Sequence, residues 1–472
     1  MRAARGEMEA CLQATKALCN VCGRMTGAKI VLRDGKVFLA KWCVEHGRTE
    51  ALVSSDQDWY LRSLAYVKPG TEPVSRAVAE HVGCPSSCGL CPRHEQHTCV
   101  PIFEITDRCD LRCPACLVEG RTAGDVTLAQ ARSILDGLVA REGRINMLTL
   151  SGGEPTAHPE FLEIVDAAMR PEVGVVSVST NGLALAADDD LIKGLRDRGV
   201  VISLQFDGVK PETYAALRGR PDLAELKTRL VERILSLGGR LSLTMTLARG
   251  VNDDEDEVES VLGLLLENDG VVSVMVQPLA HAGRAASGVR HDPLDVVTVP
   301  DAVRLLAAAS GGVIEEKHFC PLPCSHPTCF ALTYLLRLGG GRMIPVPALV
   351  DAETYLDVIK NQALVGTDPD TLLRIRDGLY ALWTSSGAIP ERDAVLRVIR
   401  QLLLDVDRAS RAGDHRALLG VGADHVKSVF IHHFMDRYTF DLSRAAKCCN
   451  HYPQIDGRLV PACVRNNLGG GR

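Results

Sequence analysis

The chain has 472 residues, a net charge of −6 at neutral pH, ordinary apolar content and few aromatics. That length allows two or three domains with buried cores, and the acidic balance argues against a nucleic-acid partner, which needs a basic field. No run of about eighteen apolar residues is present to span a membrane, and Met1 to Ala10 lacks the apolar stretch of a signal peptide.

The expected location is therefore the cytoplasm, where the seventeen cysteines stay reduced. Most of them sit beside Gly, Pro, His and Arg rather than in apolar runs, so their clustering points to metal.

Three regions follow in chain order. Residues 1–98 read as a small metal-binding region. Within it, 29–40 is two apolar runs around Asp34-Gly35, a hairpin signal. Cys19-x2-Cys22 precedes that hairpin and Cys43-x2-His46 follows it, the layout of a zinc ribbon or rubredoxin-like knuckle.

Residues 99–312 alternate strand and helix. Strands are expected at 100–106, 145–150, 175–180, 200–206, 240–247 and 271–277, with helices at 127–142, 159–169, 189–198, 223–237, 255–267 and 300–309. The class is α/β, and the count suits a partial (β/α)6 barrel, with chemistry at the C-terminal ends of the strands. Residues 313–472 break the alternation. Helices at 372–385 and 392–409 suggest a mainly helical C-terminal domain carrying an iron–sulfur cluster.

The central motif is Cys109-x3-Cys113-x2-Cys116, just after the first barrel strand. Three thiolates at this spacing can hold three corners of a [4Fe-4S] cluster and leave the fourth iron open for a substrate or cofactor. Gly152-Gly153-Glu154 ends the second strand; glycines there allow close backbone approach, and the carboxylate could hold an ammonium group. Ser179 and Asn181 at the end of strand three, and Ser203, Gln205 and Asp207 at the end of strand four, suit hydrogen bonds to a carboxylate and a ribose, or simple turn chemistry.

Cys84, Cys88 and Cys91 repeat the spacing of the central triplet in a Gly/Pro/Ser loop. They read as an auxiliary cluster or a zinc site, with Cys99, His94 or His97 as a fourth ligand. Cys320, Cys324 and Cys329 can combine with Cys448, Cys449 and Cys463, one of the two adjacent cysteines being a spare. His432 and His433 read as core residues more readily than as ligands.

The triplet after a first strand, followed by Gly-Gly-Glu, resembles the radical S-adenosylmethionine (SAM) superfamily. The ordered series KWCVEHG, GCPSSCGLCPRHEQHTC, TDRCDLRCPACL, LPCSHPTC and CCNHYPQIDGRLVPAC resembles its tetraether lipid synthase-like family, some members of which are described as pterin methyltransferases. The resemblance implies a SAM cluster on Cys109, Cys113 and Cys116, and an auxiliary cluster on Cys324, Cys329, Cys463 and one of Cys448 and Cys449. It also implies a second auxiliary cluster and a mononuclear iron or zinc on Cys19, Cys22 and Cys43 with His46.

The implied reaction is reductive cleavage of SAM to a 5′-deoxyadenosyl radical, hydrogen abstraction from an unactivated C–H bond and carbon–carbon bond formation. A flavodoxin- or ferredoxin-type protein would donate the electrons. Coupling of lipid alkyl chains, with peripheral membrane contact, is the first expectation. The alternatives are C-methylation of a small molecule such as a pterin, with a folate-type one-carbon donor, and a non-catalytic iron–sulfur or zinc scaffold. A deep apolar tunnel would favour lipid, and a short polar pocket the small molecule.

Overall fold

In the computed structural model, β1 (Ala10–Leu18), β2 (Met25–Arg33), β3 (Lys36–Cys43) and β4 (Gly47–Ser54) form an antiparallel sheet in chain order. The structure describes residues 9–469 apart from 77, 80–82, 86–87, 118–123, 362–390, 412–419 and 423. Arg33 pairs with Lys36 across a two-residue turn in which Asp34 and Gly35 both take positive φ, 50° and 72°, as the expected hairpin requires. One end of this sheet carries the paired cysteine knuckles. Its apolar face, including Ala28, Ile30, Val37 and Leu39, packs against Tyr60 of the helix Gln57–Leu64.

The strand–helix alternation is present as expected. β5 (Val100–Thr106), β6 (Ile145–Gly152), β7 (Val173–Thr180), β8 (Val201–Gln205), β9 (Arg240–Leu247) and β10 (Val271–Pro278) lie side by side in sequence order, all parallel. The intervening helices begin where short polar side chains can bond the first free backbone N–H groups. Thr127 forms a capping box with Gln130, and Asp188 and Asp254 cap the helices Asp189–Asp197 and Glu255–Glu267.

Along these strands one face is bulky and apolar. Leu148, Leu150, Val176, Val178, Ile202, Leu204, Leu241 and Leu243 are buried against helix residues such as Leu135, Ile164, Leu195 and Ile234, which makes the main core.

The C-terminal region contributes more to the sheet than its sequence suggested. β11 (Phe330–Gly339), β12 (Arg342–Pro345), β13 (Val426–His432), β14 (Asn450–Pro453) and β15 (Leu459–Pro461) extend the six parallel strands to an eleven-stranded sheet. β13 pairs parallel with β10, β11 pairs antiparallel with β13, and β14 pairs parallel with β5, so these strands flank both edges of the barrel.

The reading of this region as mainly helical missed them because FALTYLLRLG is a continuous apolar run, whose periodicity does not separate strand from helix. The long helix expected near 392–409 is present as Arg392–Arg411, and the one expected at 372–385 lies outside the described residues. Among the described residues no helix is long and apolar enough to cross a membrane.

Candidate active site at the barrel mouth

The cysteine triplet lies on the loop that leaves β5 at the C-terminal end of the barrel. Backbone contacts fix it there. Ala115 N–H donates to Leu217 O (3.1 Å), Ala285 N–H to Cys116 O (3.1 Å), and the Arg284 guanidinium to Cys113 O (3.2 Å).

The two glycines explain how the loop is held from below. Gly152 has φ +134°, and a Cβ on it would lie 2.2 Å from Thr106 O; one on Gly153 would lie 2.2 Å from Arg108 O. That contact brings Gly153 N–H to Thr106 O (2.8 Å) and Glu154 N–H to Arg108 O (2.6 Å), pinning the strand β6 end to the segment that presents Cys109. Three thiols on one anchored loop are a soft donor set suited to an iron–sulfur cluster.

Glu154 is buried and its oxygens are engaged within the protein. One accepts from Thr156 N–H, Thr156 Oγ1 and Thr180 Oγ1, and the other from Asn181 N–H at 2.7 Å. Burial raises its carboxyl above the usual range, against these hydrogen bonds. Glu154 thus ties the ends of β6 and β7 together. Asn181 extends the tie, donating from its amide to Asp110 on the cysteine loop (2.6 Å).

Gln205 and Asp207 belong to a second buried network, whose cations the sequence reading missed. Arg218 makes a bidentate pair with Asp207 (2.7 and 2.8 Å) and also reaches Thr246 Oγ1. Lys227 donates to the Gln205 backbone carbonyl (2.6 Å) and to its side-chain oxygen, and the Gln205 amide donates to Asp207. Burial pulls the Lys227 ammonium down to about 7. The available signal was Lys227 among the buried positions of the amphipathic helix Leu223–Ser236.

Ser179 and Ser203 instead line a cavity of about 390 Å³ inside the barrel. At its upper end are Ser151, Gly152 and Gln277, and at its lower end Gly174, Gly199 and Arg240. Phe330, Leu332 and Phe430 from the C-terminal strands close one side, and Cys99 and Cys449 form part of the wall.

The remaining cysteines fall into distinct sets. Cys19, Cys22, Cys43 and His46 bring their ligand atoms within 4.8 Å of one another, the four-ligand knuckle expected from the sequence. Cys88 lies in the field of Cys84 and Cys91, and burial pushes its thiol up to about 12. His94 turns away from that loop: its Nε2 is 2.7 Å from Cys448 O and 3.0 Å from His451 Nε2. His97 pairs with Glu142 at 3.2 Å and lies 3.7 Å from Cys99 Sγ.

Cys99 lies beside both Cys324 and Cys449, while Cys448 lies in the field of Cys329 and Cys463, and Cys449 in that of Cys324, Cys448 and Cys329. Cys324 and Cys449 thus gather at Cys99, while Cys449 also lines one small pocket with Cys329, Cys448 and Cys463. Cys320 is buried against Tyr355, in the same apolar cluster as Cys99, Cys324 and Cys449. His432 stacks on Phe330 at 4.1 Å and His433 is buried, in keeping with core histidines.

Comparison with known proteins adds the family. Residues 103–262 match the model described as the Radical SAM superfamily, and residues 11–55 match the HMPTM N-terminal zinc ribbon domain. The chain is 29% identical over 485 residues to the 7,8-dihydro-6-hydroxymethylpterin dimethyltransferase of Methanocaldococcus jannaschii, covering 96% of this chain and 93% of that protein. It is 29% identical over 154 residues to a probable GTP 3′,8-cyclase of Methanothermobacter marburgensis, covering 32% of this chain and 50% of that protein. The solved structure of Streptococcus suis SuiB bound to the precursor peptide SuiA overlaps 45% of each chain, with a TM-score of 0.38 and 14% identity.

Proposed function

The chain is a radical SAM enzyme, its domain of that superfamily spanning residues 103–262, and we propose that it forms carbon–carbon bonds between lipid alkyl chains. Cys109, Cys113 and Cys116 would hold the SAM cluster, and the sets built on Cys99/Cys324/Cys449 and Cys329/Cys448/Cys463 would hold auxiliary clusters. With cluster and SAM bound, the site supplies a 5′-deoxyadenosyl radical able to take a hydrogen atom from an unactivated C–H bond.

The protein's own contribution is position and enclosure. The glycine pair and Glu154 fix the height of the cysteine loop over the barrel, while the β11 and β13 side chains wall one side of the cavity. Joining two saturated carbons removes one hydrogen from each, so two molecules of 5′-deoxyadenosine accompany each bond, with electrons from a flavodoxin- or ferredoxin-type donor.

The observation that carries the lipid reading is the cavity, which runs between the two ends of the barrel strands instead of stopping at a shallow mouth. C-methylation of a pterin is the second reading. It is supported by the relative named as a pterin dimethyltransferase, and by Ser177, whose buried hydroxyl lacks a partner among the described residues and would suit a polar ligand.

The test is anaerobic incubation of the cluster-loaded protein with SAM, reductant and either a dialkyl glycerol phospholipid or a dihydropterin with a folate one-carbon donor. A coupled lipid with matching 5′-deoxyadenosine supports the first reading. A methylated pterin and no lipid product replaces it with the second.

A further inference from the structure

A guanidinium cannot shed its proton inside a protein, so burying one obliges the structure to set negative charge beside it. Arg218 meets that requirement with Asp207, the bidentate pair described above. A buried lysine such as Lys227 can lower the cost by losing its proton. Arg444, on the short helix Leu442–Ala446, is only 3% exposed and has neither remedy.

Its Nη2 donates to two carbonyl oxygens, His433 O at 3.1 Å and Thr328 O at 3.4 Å, and lies 3.5 Å from Cys329 Sγ. Its Nε is buried with no partner among the described residues. The carboxylates of the neighbouring segment are engaged elsewhere. Asp441 accepts from Ser443 N–H and Ser443 Oγ at 2.9 and 2.8 Å, and Asp436 from His281 N–H and Thr439 Oγ1 at 3.1 and 2.9 Å. His326, His432 and His433 lie in its field and carry no negative charge in either of their ordinary protonation states.

What surrounds the guanidinium is sulfur. Cys329, Cys448, Cys449 and Cys463 line one small cavity with it. Met435 N–H donates to Cys463 Sγ at 3.2 Å, and His433 N–H holds the Cys329 carbonyl at 2.8 Å. Neutral thiols leave the buried charge unanswered. Thiolates gathered round a metal answer it, and an all-sulfur donor set is the kind an iron–sulfur cluster takes.

We propose that Arg444 is the fixed counter-cation of a metal cluster held at Cys329, Cys448 and Cys463, and that it raises the reduction potential of that cluster. This rests on the auxiliary-cluster assignment above and adds the residue that sets the cluster's charge balance. Reduction adds an electron to an already anionic group. A buried positive charge stabilises that product more than the oxidised form, with little screening by water. A hydrogen bond from Nη2 to the Cys329 sulfur acts in the same direction. The role is one of positioning, since Arg444 acts through Cys329 and touches no substrate.

The test is an anaerobic redox titration of the cluster-loaded full chain with dithionite, followed by electron paramagnetic resonance. The signal of this cluster is the one missing from Cys463→Ala. Arg444→Gln is expected to lower its midpoint by about 59 mV or more, a tenfold change in the ratio of reduced to oxidised cluster. Arg444→Lys, which keeps the charge, is expected to stay near the wild-type midpoint.

Arg444→Gln with full iron and an unchanged midpoint overturns the counter-cation and leaves the cluster. Cys463→Ala that loses neither iron nor signal removes the cluster from this site, and the counter-cation with it. If Arg444→Gln does not fold or load, Arg444→Lys decides. Full iron and a wild-type midpoint there support the counter-cation, whereas lost iron assigns Arg444 to folding and overturns it.

Discussion

The N-terminal ribbon and the barrel's flank both gather cysteines, but they assemble them differently. The ribbon's four ligands lie between residues 19 and 46, on two knuckles held by one antiparallel sheet, and their donor atoms already converge. The cysteines at the barrel flank, Cys99, Cys324, Cys329, Cys448, Cys449 and Cys463, come from well-separated segments of the chain. They come together because β14 pairs with β5 and β11 pairs with β13. A local site can fold around its metal as a unit. The flank cysteines presuppose the finished sheet, so a metal held there would stabilise the tertiary structure in return.

The sharpest way to break this contrast is to disable one region and assay the other. Cys113→Ala is expected to reduce 5′-deoxyadenosine formation to the no-enzyme background, whereas Cys43→Ala, which removes a ribbon ligand, leaves most of it. Chromatography of anaerobic single-turnover reactions decides the matter, and loss in both variants would mean the ribbon is not a separate unit.

A second test addresses the division of the adjacent cysteines. If Cys448 and Cys449 serve different sets, Cys448→Ala and Cys449→Ala should each lose roughly four irons and the double variant roughly eight. Iron and sulfide analysis checks this, and a double variant no poorer in iron than either single one would restore a shared site.

Acidification should then separate the regions by proton competition. Burial opposes ionisation of Cys19, but the N–H groups of Cys22 and Val21 bring its thiol down to about 7. Thiolate ligation weakens as pH falls through that value, so zinc trapped by a colorimetric chelator should rise between about pH 7.5 and 6 while the barrel keeps its iron.

The smallest effect concerns Lys227. Its folded pKa of about 7 lies below its ordinary 10.5. Between those values the unfolded chain binds more protons than the folded one, so stability rises with pH across that window. Lys227→Met should flatten the rise in urea midpoints measured between pH 7.5 and 9.5. Lys41 and Lys427, each drawn down to about 8 by burial, should preserve part of it.

Much of this is legible in the sequence. The strand–helix alternation follows from hydrophobic periodicity, and the Asp34-Gly35 turn from backbone conformations that few residues adopt. The ribbon ligands and the Cys109, Cys113, Cys116 triplet are local spacings, where sequence distance and spatial distance are nearly the same.

What depended on long-range pairing stayed hidden. FALTYLLRLG does not state which strand it joins. Adjacent Cys448 and Cys449 do not reveal which distant cysteines each of them faces. Glu154 looks like a ligand-binding carboxylate until Thr156, Thr180 and Asn181 are found around it. The serines at 179, 203, 242, 273 and 428 are unremarkable one by one and become a row only when strand register aligns them. The sequence by itself determined the chemistry-bearing loop and the kind of sheet that presents it, because both rest on short-range pattern. Only the tertiary structure decided which cysteines lie near one another and that the barrel is hollow, because both depend on which distant strands come to lie side by side.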